Sequence, residues 1–421
     1  MEKIVINGGV PLNGEIEVSG MKNSAVAVIF ACILTEEEVT LTNVPEIIDV
    51  DVSLEILEKM GCRISRPAPH TAIINAAEIR KGTAPNELTT KMRASYYLLG
   101  AELGRFGHAK VGMPGGCNFG VRPIDQHIKA FESIGASVTE TDTTVEATAM
   151  RGLKGGNIFF DVVTVGGTMN AMIAASCAAG DTVIENAARE PHIVDLANFL
   201  NTCGANIRGA GTDTIKIKGV PSLHGCTYAI IPDMIEAGTY MIAAAATGGS
   251  LRIKNIIPKH LESITAKLDE MGVDVTEEDE AVVVSACERL NNINLKTRPY
   301  PGYPTDMQPQ ICVLMCLASG ESRLVEGVWD NRYRYVEELR RMGADITVDG
   351  RTAVVTGGKP LHPARVRAVD LRAGAAMVIA ALAVKGKTEI EDIRYIERGY
   401  DNIVGKLKAV GGRIEKVTVD D

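Results

Sequence analysis

Between Met113 and Pro123 the chain reads MPGGCNFGVRP, with three glycines, two prolines, a cysteine and an arginine in eleven residues. A thiol on an accessible loop beside cationic groups can have a tuned pKa and serve as acid or nucleophile, which makes Cys117 next to Arg122 a candidate for chemistry. Spacing alone leaves an idle loop cysteine equally open. The stretch has neither the GK[ST] of a P-loop nor the spacing of a dinucleotide fingerprint, so those modes of nucleotide binding are not indicated. Other charged residues stand where long apolar runs begin: Lys22 and Asn23 before the first, Arg93 at the start of the second, Asp306 at the start of the fifth, and Asp370 with Arg372 framing the sixth. Helix N-termini carry unpaired N–H groups and a positive dipole end, so several that converge with Lys and Arg form an anion site for phosphate or carboxylate. Taken singly, Asp306 and Asp370 read as well as helix caps, and the cations as solvated side chains. Recurrence at equivalent places in four repeats favours a site.

The elements that would position these residues are repeated. LEKMGCRI at Leu57, FESIGASV at Phe131, LNTCGANI at Leu200, LDEMGVDV at Leu268, LRRMGADI at Leu339 and LKAVGGRI at Leu407 share one pattern, with glycines at 61, 135, 204, 272, 343 and 411. Each octet reads as the end of an amphipathic helix, a glycine able to take the left-handed C′ conformation, and the start of an alternating strand. Each unit also holds a second, nearly all-apolar helix rich in small residues: SAVAVIFACIL from Ser24, MRASYYLLGAEL from Met92, TMNAMIAASCAAG from Thr168, EAGTYMIAAAATGG from Glu236, TDMQPQICVLMCLASG from Thr305 and LRAGAAMVIAALAVKG from Leu371. A helix apolar all round must be buried on all sides. Short strand signals such as VTLTN, TVIEN, LRIKN and TEIED follow. The repeat is mixed α/β, with one buried and one half-exposed helix. MPGGCNFGVRP falls in the second unit's connector between strand and amphipathic helix, as an insertion of a few residues, and loops that break a scaffold's rule commonly carry function.

At 421 residues, with 46% apolar and 23% charged residues, the chain is expected to form two domains. The sequence suggests neither a signal peptide nor a membrane span, and a cytoplasmic protein is expected. Nine cysteines without metal-ligand spacing argue for free thiols and no metal site; Cys32, Cys177, Cys312 and Cys316, embedded in apolar helices, read as small core residues. A net charge of −9, one tryptophan and seven phenylalanines argue against a nucleic-acid surface. An anionic ligand must therefore have its charge met locally.

The segments VSGMKNS, KMRAS, PGGCNFGVRPIDQH, ENAAREP, YPTDMQPQ, DNRY, DLRAG and ERGYDNI, in this order along essentially the whole chain, resemble the UDP-N-acetylglucosamine 1-carboxyvinyltransferase (enolpyruvyl transferase) family. The resemblance implies two inside-out α/β barrel domains of three repeats each. Residues 22–231 would form the N-terminal domain with the cysteine loop, and 1–21 plus 232–421 the C-terminal one, with substrates in the cleft between them. The implied activity is transfer of the enolpyruvyl group of phosphoenolpyruvate to the 3′-hydroxyl of UDP-N-acetylglucosamine with release of phosphate, the first committed step of peptidoglycan synthesis, with no cofactor. By motif, Lys22, Arg122 and Arg398 should bind the phosphate and carboxylate of phosphoenolpyruvate. Asn23, Arg93, Pro123, Ile124, Asp125, Gln126, Thr164, Val165, Gly166, Asp306 and Val328 should line the UDP-sugar site, and Arg332, Asp370 and Arg372 should support the closed cleft. Asp306 is the expected base for the sugar hydroxyl and Cys117 the expected acid near C3 of the enol, a pair suited to opposite roles.

Two departures stand out: Met21 where many members have alanine, and Val162 where some have lysine, which bears on a diphosphate or uracil contact. The competing readings are another enolpyruvyl transferase or an RNA 3′-terminal cyclase-like protein, both disfavoured by the acidic balance and the PGGC loop. A catalytically silent paralogue that binds a UDP-sugar and regulates wall synthesis is a further one; retention of Cys117, Asp306, Lys22 and Arg398 argues against it.

Overall fold

A computed structural model describes residues 2–80, 82, 84–113 and 124–418. Cys117, Arg122 and Pro123 lie outside the described residues. The described chain divides into two compact units, one of residues 2–19 with 232–418 and the other of 20–113 with 124–231.

At the centre of the N-terminal unit lie the helices Lys22–Ala31, Tyr97–Phe106 and Val165–Ala175. The first is buried from Ser24 to Ala31 and the third from Gly167 to Ala175. Small residues mark their contacts: a Cβ on Gly100 would stand 2.4 Å from Asn170 Oδ1, the atom to which Gly100 N donates at 2.9 Å. The C-terminal unit repeats the plan with Met234–Thr247, Gln308–Leu317 and Leu371–Ala383, which pack on one another. With helices inside and sheets as the wall, each unit is an inside-out α/β barrel.

Among the described residues six sheets match the six repeats. Five have four strands in one arrangement: an edge strand parallel to the strand that follows the buried helix, then two antiparallel neighbours. In the second repeat the described residues give three strands, His108–Gly112, Thr144–Thr148 and Ser137–Glu140. There the short helix Asn86–Thr89 packs on His108–Gly112, with Asn86 so close that a Cβ on Gly112 would meet its Oδ1 at 2.8 Å.

Long-range pairing closes both units. Glu2–Gly8 pairs antiparallel with Gly386–Glu391 and Ile414–Thr418, and Asn13–Glu17 runs parallel to Ser250–Lys254. Thr227–Ala229 returns to lie parallel to Glu38–Thr42. The division near the N-terminus falls after Ser19, not after residue 21. Gly20 and Met21 stay with the N-terminal unit because Met21 N donates to Ile231 O at 2.7 Å and Gly20 lies against the Asn43 carbonyl.

Several expected helix starts shift. Lys22 and Asn23 are the first residues of their helix and do not precede it. The third and fourth buried helices begin at Val165 and Met234, where Thr164 Oγ1 accepts from Gly167 N and Asp233 from Ile235 N and Glu236 N. Arg93 opens a 3-10 turn, Arg93–Tyr96, and Asp306 lies in another, Thr305–Met307, ahead of the α-helix proper. Cys32, Cys312 and Cys316 are buried core residues, whereas Cys177, just past its helix, is half-buried. Among the described residues no helix is long and apolar enough to cross a membrane.

All six repeat glycines have φ between 87° and 108°. The residue ending each strand signal is also left-handed: Asn43, Asn186 and Asn255 at 53–56° and Asp392 at 59°. The three asparagines donate through Nδ2 to the carbonyls of Ile230, Phe160 and Val18. Gly61→Ala and Gly135→Ala should each lose roughly 1–2 kcal/mol to the left-handed backbone. Only the first adds a collision, with Glu78 O 2.9 Å from the new Cβ, while nothing stands within 4 Å at Gly135. Urea unfolding should rank Gly61→Ala as clearly the less stable; equal midpoints would show that close approach does not matter there.

Candidate active site

In the C-terminal unit the N-terminal ends of the three buried helices meet around Arg372. Its Nε donates to Asp306 Oδ2 at 3.1 Å, and its guanidinium lies 5.4 Å over the Tyr400 ring. Burial opposes its charge, but Asp306, Tyr400 and Asp233 outweigh this and raise its pKa above the ordinary arginine value. Arg332 reaches the other Asp306 oxygen, Oδ1, at 3.4 Å and the Thr305 carbonyl at 3.3 Å. Both arginines are only 3% exposed, while the Asp306 side chain is 31% exposed. The carboxylate is thus held by two guanidinium groups and stays partly exposed. Asp370 does cap its helix, accepting from Arg372 N and Ala373 N at 2.9 Å each. The two aspartates that the sequence left alike therefore part company: one holds a helix end, the other faces outward between cations. Arg398, half-buried, follows the short helix Arg394–Glu397 two residues before Tyr400.

Val328 is placed by a residue the sequence reading missed. Glu326, 1% exposed, accepts from Val328 N at 2.8 Å, Trp329 N at 3.1 Å and Thr297 Oγ1 at 2.8 Å through Oε1, and from Thr305 Oγ1 at 3.0 Å through Oε2. It ties the Val328 turn to the residue beside Asp306. A glutamate directly before Gly-Val in an otherwise apolar strand end was its only sequence signal.

In the N-terminal unit Lys22 pairs with Asp49 at 2.8 Å, the side chains being 13% and 5% exposed. Asp49 lies on the helix Ile48–Met60, where Ser53 Oγ donates to Asp49 O at 2.7 Å and touches Met92 Sδ at 3.6 Å, next to Arg93. Arg93 lies 5.6 Å over the Tyr96 ring. Ile124 precedes the helix Asp125–Ser133, which packs on Val165–Ala175. Gln126 fixes the approach to Thr164: its Nε2 donates to Asp161 Oδ2 at 3.1 Å and its Oε1 accepts from Asp161 N at 3.0 Å. Val162 is 60% exposed, without a lysine's reach or charge. Asn23 is half-buried in the first turn of its helix.

His127, also missed, joins these pieces. It is 7% exposed, and a Cβ on Gly166 would meet its Nε2 at 3.0 Å. Asn170 Oδ1 accepts from Gly100 N, so its Nδ2 is the donor, to Tyr96 O at 2.8 Å and to His127 Nδ1 at 2.9 Å. That makes Nδ1 the acceptor and leaves the ring hydrogen on Nε2, facing Gly166. Among the described residues no cluster of His, Cys, Asp and Glu could hold a metal ion.

The family model of EPSP synthase (3-phosphoshikimate 1-carboxyvinyltransferase) matches residues 6–407. The chain belongs to this family of enolpyruvyl transferases. Within it, the chain is 53% identical over 418 residues to the UDP-N-acetylglucosamine 1-carboxyvinyltransferase of Clostridium botulinum, covering 99% of this chain and all of that one. It is 52% identical over 417 residues to the UDP-N-acetylglucosamine 1-carboxyvinyltransferase 2 of Clostridium acetobutylicum, covering 99% of each. Among solved structures, the enolpyruvyl transferase NikO from Streptomyces tendae superposes with a TM-score of 0.88 at 27% identity, over 100% of this chain and 99% of that one. EPSP synthase from Acinetobacter baumannii, at 19% identity and a TM-score of 0.76 over 99% of this chain and 100% of that one, shares the fold.

Burial, and then the nearby Arg93 charge, push His127 down to about 4. The unfolded chain, with histidine near 6.5, takes up the proton first, so folding stability should fall as pH drops from about 6.5 toward 4 and lose nothing more from this group below that. Unfolding titrations across that window should show the slope in the wild type and a weaker one in His127→Gln, which keeps an acceptor for Asn170. An NMR titration of the ring centred near the ordinary histidine value would contradict the assignment.

Proposed function

We propose that this chain transfers the enolpyruvyl group of phosphoenolpyruvate to the 3′-hydroxyl of UDP-N-acetylglucosamine and releases phosphate, the first committed step of peptidoglycan synthesis. The observation that carries the reading is the Asp306 carboxylate, oriented by Arg332 and Arg372 and still 31% exposed, in a chain 52–53% identical over nearly its whole length to transferases of that name. Asp306 takes the proton of the sugar hydroxyl as its oxygen bonds to C2 of the enol, and Cys117 delivers a proton to C3. The tetrahedral intermediate then expels phosphate while C3 gives up a proton, restoring the vinyl group. Lys22, Arg122 and Arg398 bind the phosphate and carboxylate of phosphoenolpyruvate, meeting in place the charge that the acidic chain as a whole repels.

Asn23, Arg93, Pro123, Ile124, Asp125, Gln126, Thr164, Val165, Gly166 and Val328 line the UDP-sugar. Gln126 and His127 support this reading by fixing Asp161 and Gly166 around the start of a helix whose N–H groups suit an anion. Val162 contributes no cationic contact. Arg332, Asp370 and Arg372 set the geometry around Asp306. Both substrates are too highly charged to cross a bilayer unaided, so the reaction belongs in the cytoplasm.

Phosphate release from phosphoenolpyruvate should require UDP-N-acetylglucosamine. Release without the sugar nucleotide, or none despite sugar-nucleotide binding, would sink the transferase reading, the latter in favour of a silent binder. Asp306→Asn should bind the sugar nucleotide and lose roughly a hundred- to ten-thousandfold in turnover, the usual worth of a general base. Near-normal turnover would remove Asp306 from that role. Cys117→Asp should retain measurable turnover where Cys117→Ala does not, since another acid of similar reach can supply the proton; an Ala variant as active as wild type would make Cys117 an idle thiol.

A further inference from the structure

We propose that Cys203 and Cys226 form a reversible disulfide on exposure to hydrogen peroxide, a redox modification site separate from the chemistry assigned to Cys117. Their sulfurs lie 3.4 Å apart, a short approach from the covalent distance of about 2.05 Å. Both partners sit on backbone held from either side. Cys203 caps the helix Pro191–Thr202, its N–H bonded to Phe199 O at 3.0 Å and its carbonyl accepting from His224 N at 2.9 Å. Two residues further on, Cys226 O accepts from Thr40 N at 2.8 Å, and the intervening Gly225 N donates to Glu37 Oε2 at 3.0 Å. The thiols are therefore presented to each other by fixed main chain.

Accessibility separates this pair from the other close one. Cys312 and Cys316 are 0% and 3% exposed in the core, whereas Cys226 is half-buried with Cys203 directly behind it at 1%. An outer thiol that meets the oxidant, backed by an inner one that resolves it, is the order the chemistry requires. The Cys203 hydrogen bond, with His224 beside it, holds the Cys226 thiol below its ordinary value against the opposing effect of burial; the same hydrogen bond and burial push Cys203 up. Cys226 as thiolate attacks one oxygen of hydrogen peroxide, the O–O bond breaks, and a sulfenic acid forms as hydroxide leaves. The Cys203 sulfur then displaces the hydroxyl from the sulfenic sulfur, and its proton leaves with it as water. In balance, two thiols and one peroxide give one disulfide and two waters.

The bond would lock together two elements that already share one carboxylate. Asp195, on the helix that Cys203 ends, accepts from Tyr228 OH on the strand that Cys226 precedes, and from Ser24 Oγ two residues after Lys22. Oxidation therefore braces the support of the first buried helix.

The test is made on the wild-type chain with all nine cysteines present. After peroxide treatment and alkylation of free thiols, peptide mapping without reductant should recover Cys203 linked to Cys226, lighter by two hydrogens than the separate peptides and lost on reduction with dithiothreitol. The oxidised protein should melt at a higher temperature than the reduced one, a shift absent in Cys226→Ser. Recovery of both as alkylated thiols, of Cys226 as sulfinic acid beside a free Cys203, or of either linked to another cysteine would overturn the proposal.

Discussion

Helices that are apolar on every side have nowhere to go but the middle, and the rest of the structure follows from that constraint. With three such helices packed together in each unit, the sheets and amphipathic helices can only surround them. Glycine and alanine let the backbones close in, as Gly100 does against Asn170. Because the helices of the C-terminal unit start at a common end, their starts bring Asp233 and Asp306 within electrostatic reach of Arg372. The same plan in the N-terminal unit sets Arg93 near His127, and His127 against Gly166. Burial, which drives the fold, thus also concentrates unpaired N–H groups and charged side chains at one end of each core.

Charge in these places is costly unless matched, and the matching is asymmetric in a useful way. Arg332 and Arg372 are almost wholly buried and spend their charge on Asp306. Asp306 is the more exposed partner, and the pairs that orient it leave part of its carboxylate accessible. Lys22 is instead paired with Asp49, so any anion approaching it would compete with a carboxylate already in place. Around these groups runs a layer of buried acceptors, Glu326 under Val328 and Asn170 under His127, whose hydrogen bonds fix turn shape and ring orientation.

Much of the architecture was legible along the chain because its causes are local. The six glycines mark six helix ends because a left-handed residue is needed there, and all six have positive φ. Composition likewise marked the buried helices, though it places two starts late, at Thr168 and Glu236, where the helices begin at Val165 and Met234 behind the caps Thr164 and Asp233. The site was legible as residue types at helix starts, less so as roles. Asp306 and Asp370 look alike in sequence, each next to a helix start, and Glu326 and His127 look like ordinary polar residues. Asp370 is told apart as a cap by its own first turn, whereas Asp306 and His127 take their places from Arg332, Arg372 and Asn170, dozens of residues away, and Glu326 joins its own turn to Thr297 and Thr305.

By itself, then, the sequence determined the repeat, the inner and outer helices, the placement of cations and aspartates at helix starts and, through its motifs, the family. Periodicity and composition did not show that Glu2–Gly8 and Asn13–Glu17 complete sheets with strands from beyond residue 249. Tertiary structure decided that pairing, the division of labour between Asp370 as cap and Asp306 between two arginines, the neutral histidine behind Gly166, and the meeting of Cys203 with Cys226. The reason is the range of the forces involved. Capping, helix ends and apolar periodicity are settled within a few residues, whereas ion pairs, strand partners and thiol contacts depend on which surfaces the buried helices bring together once the core has closed.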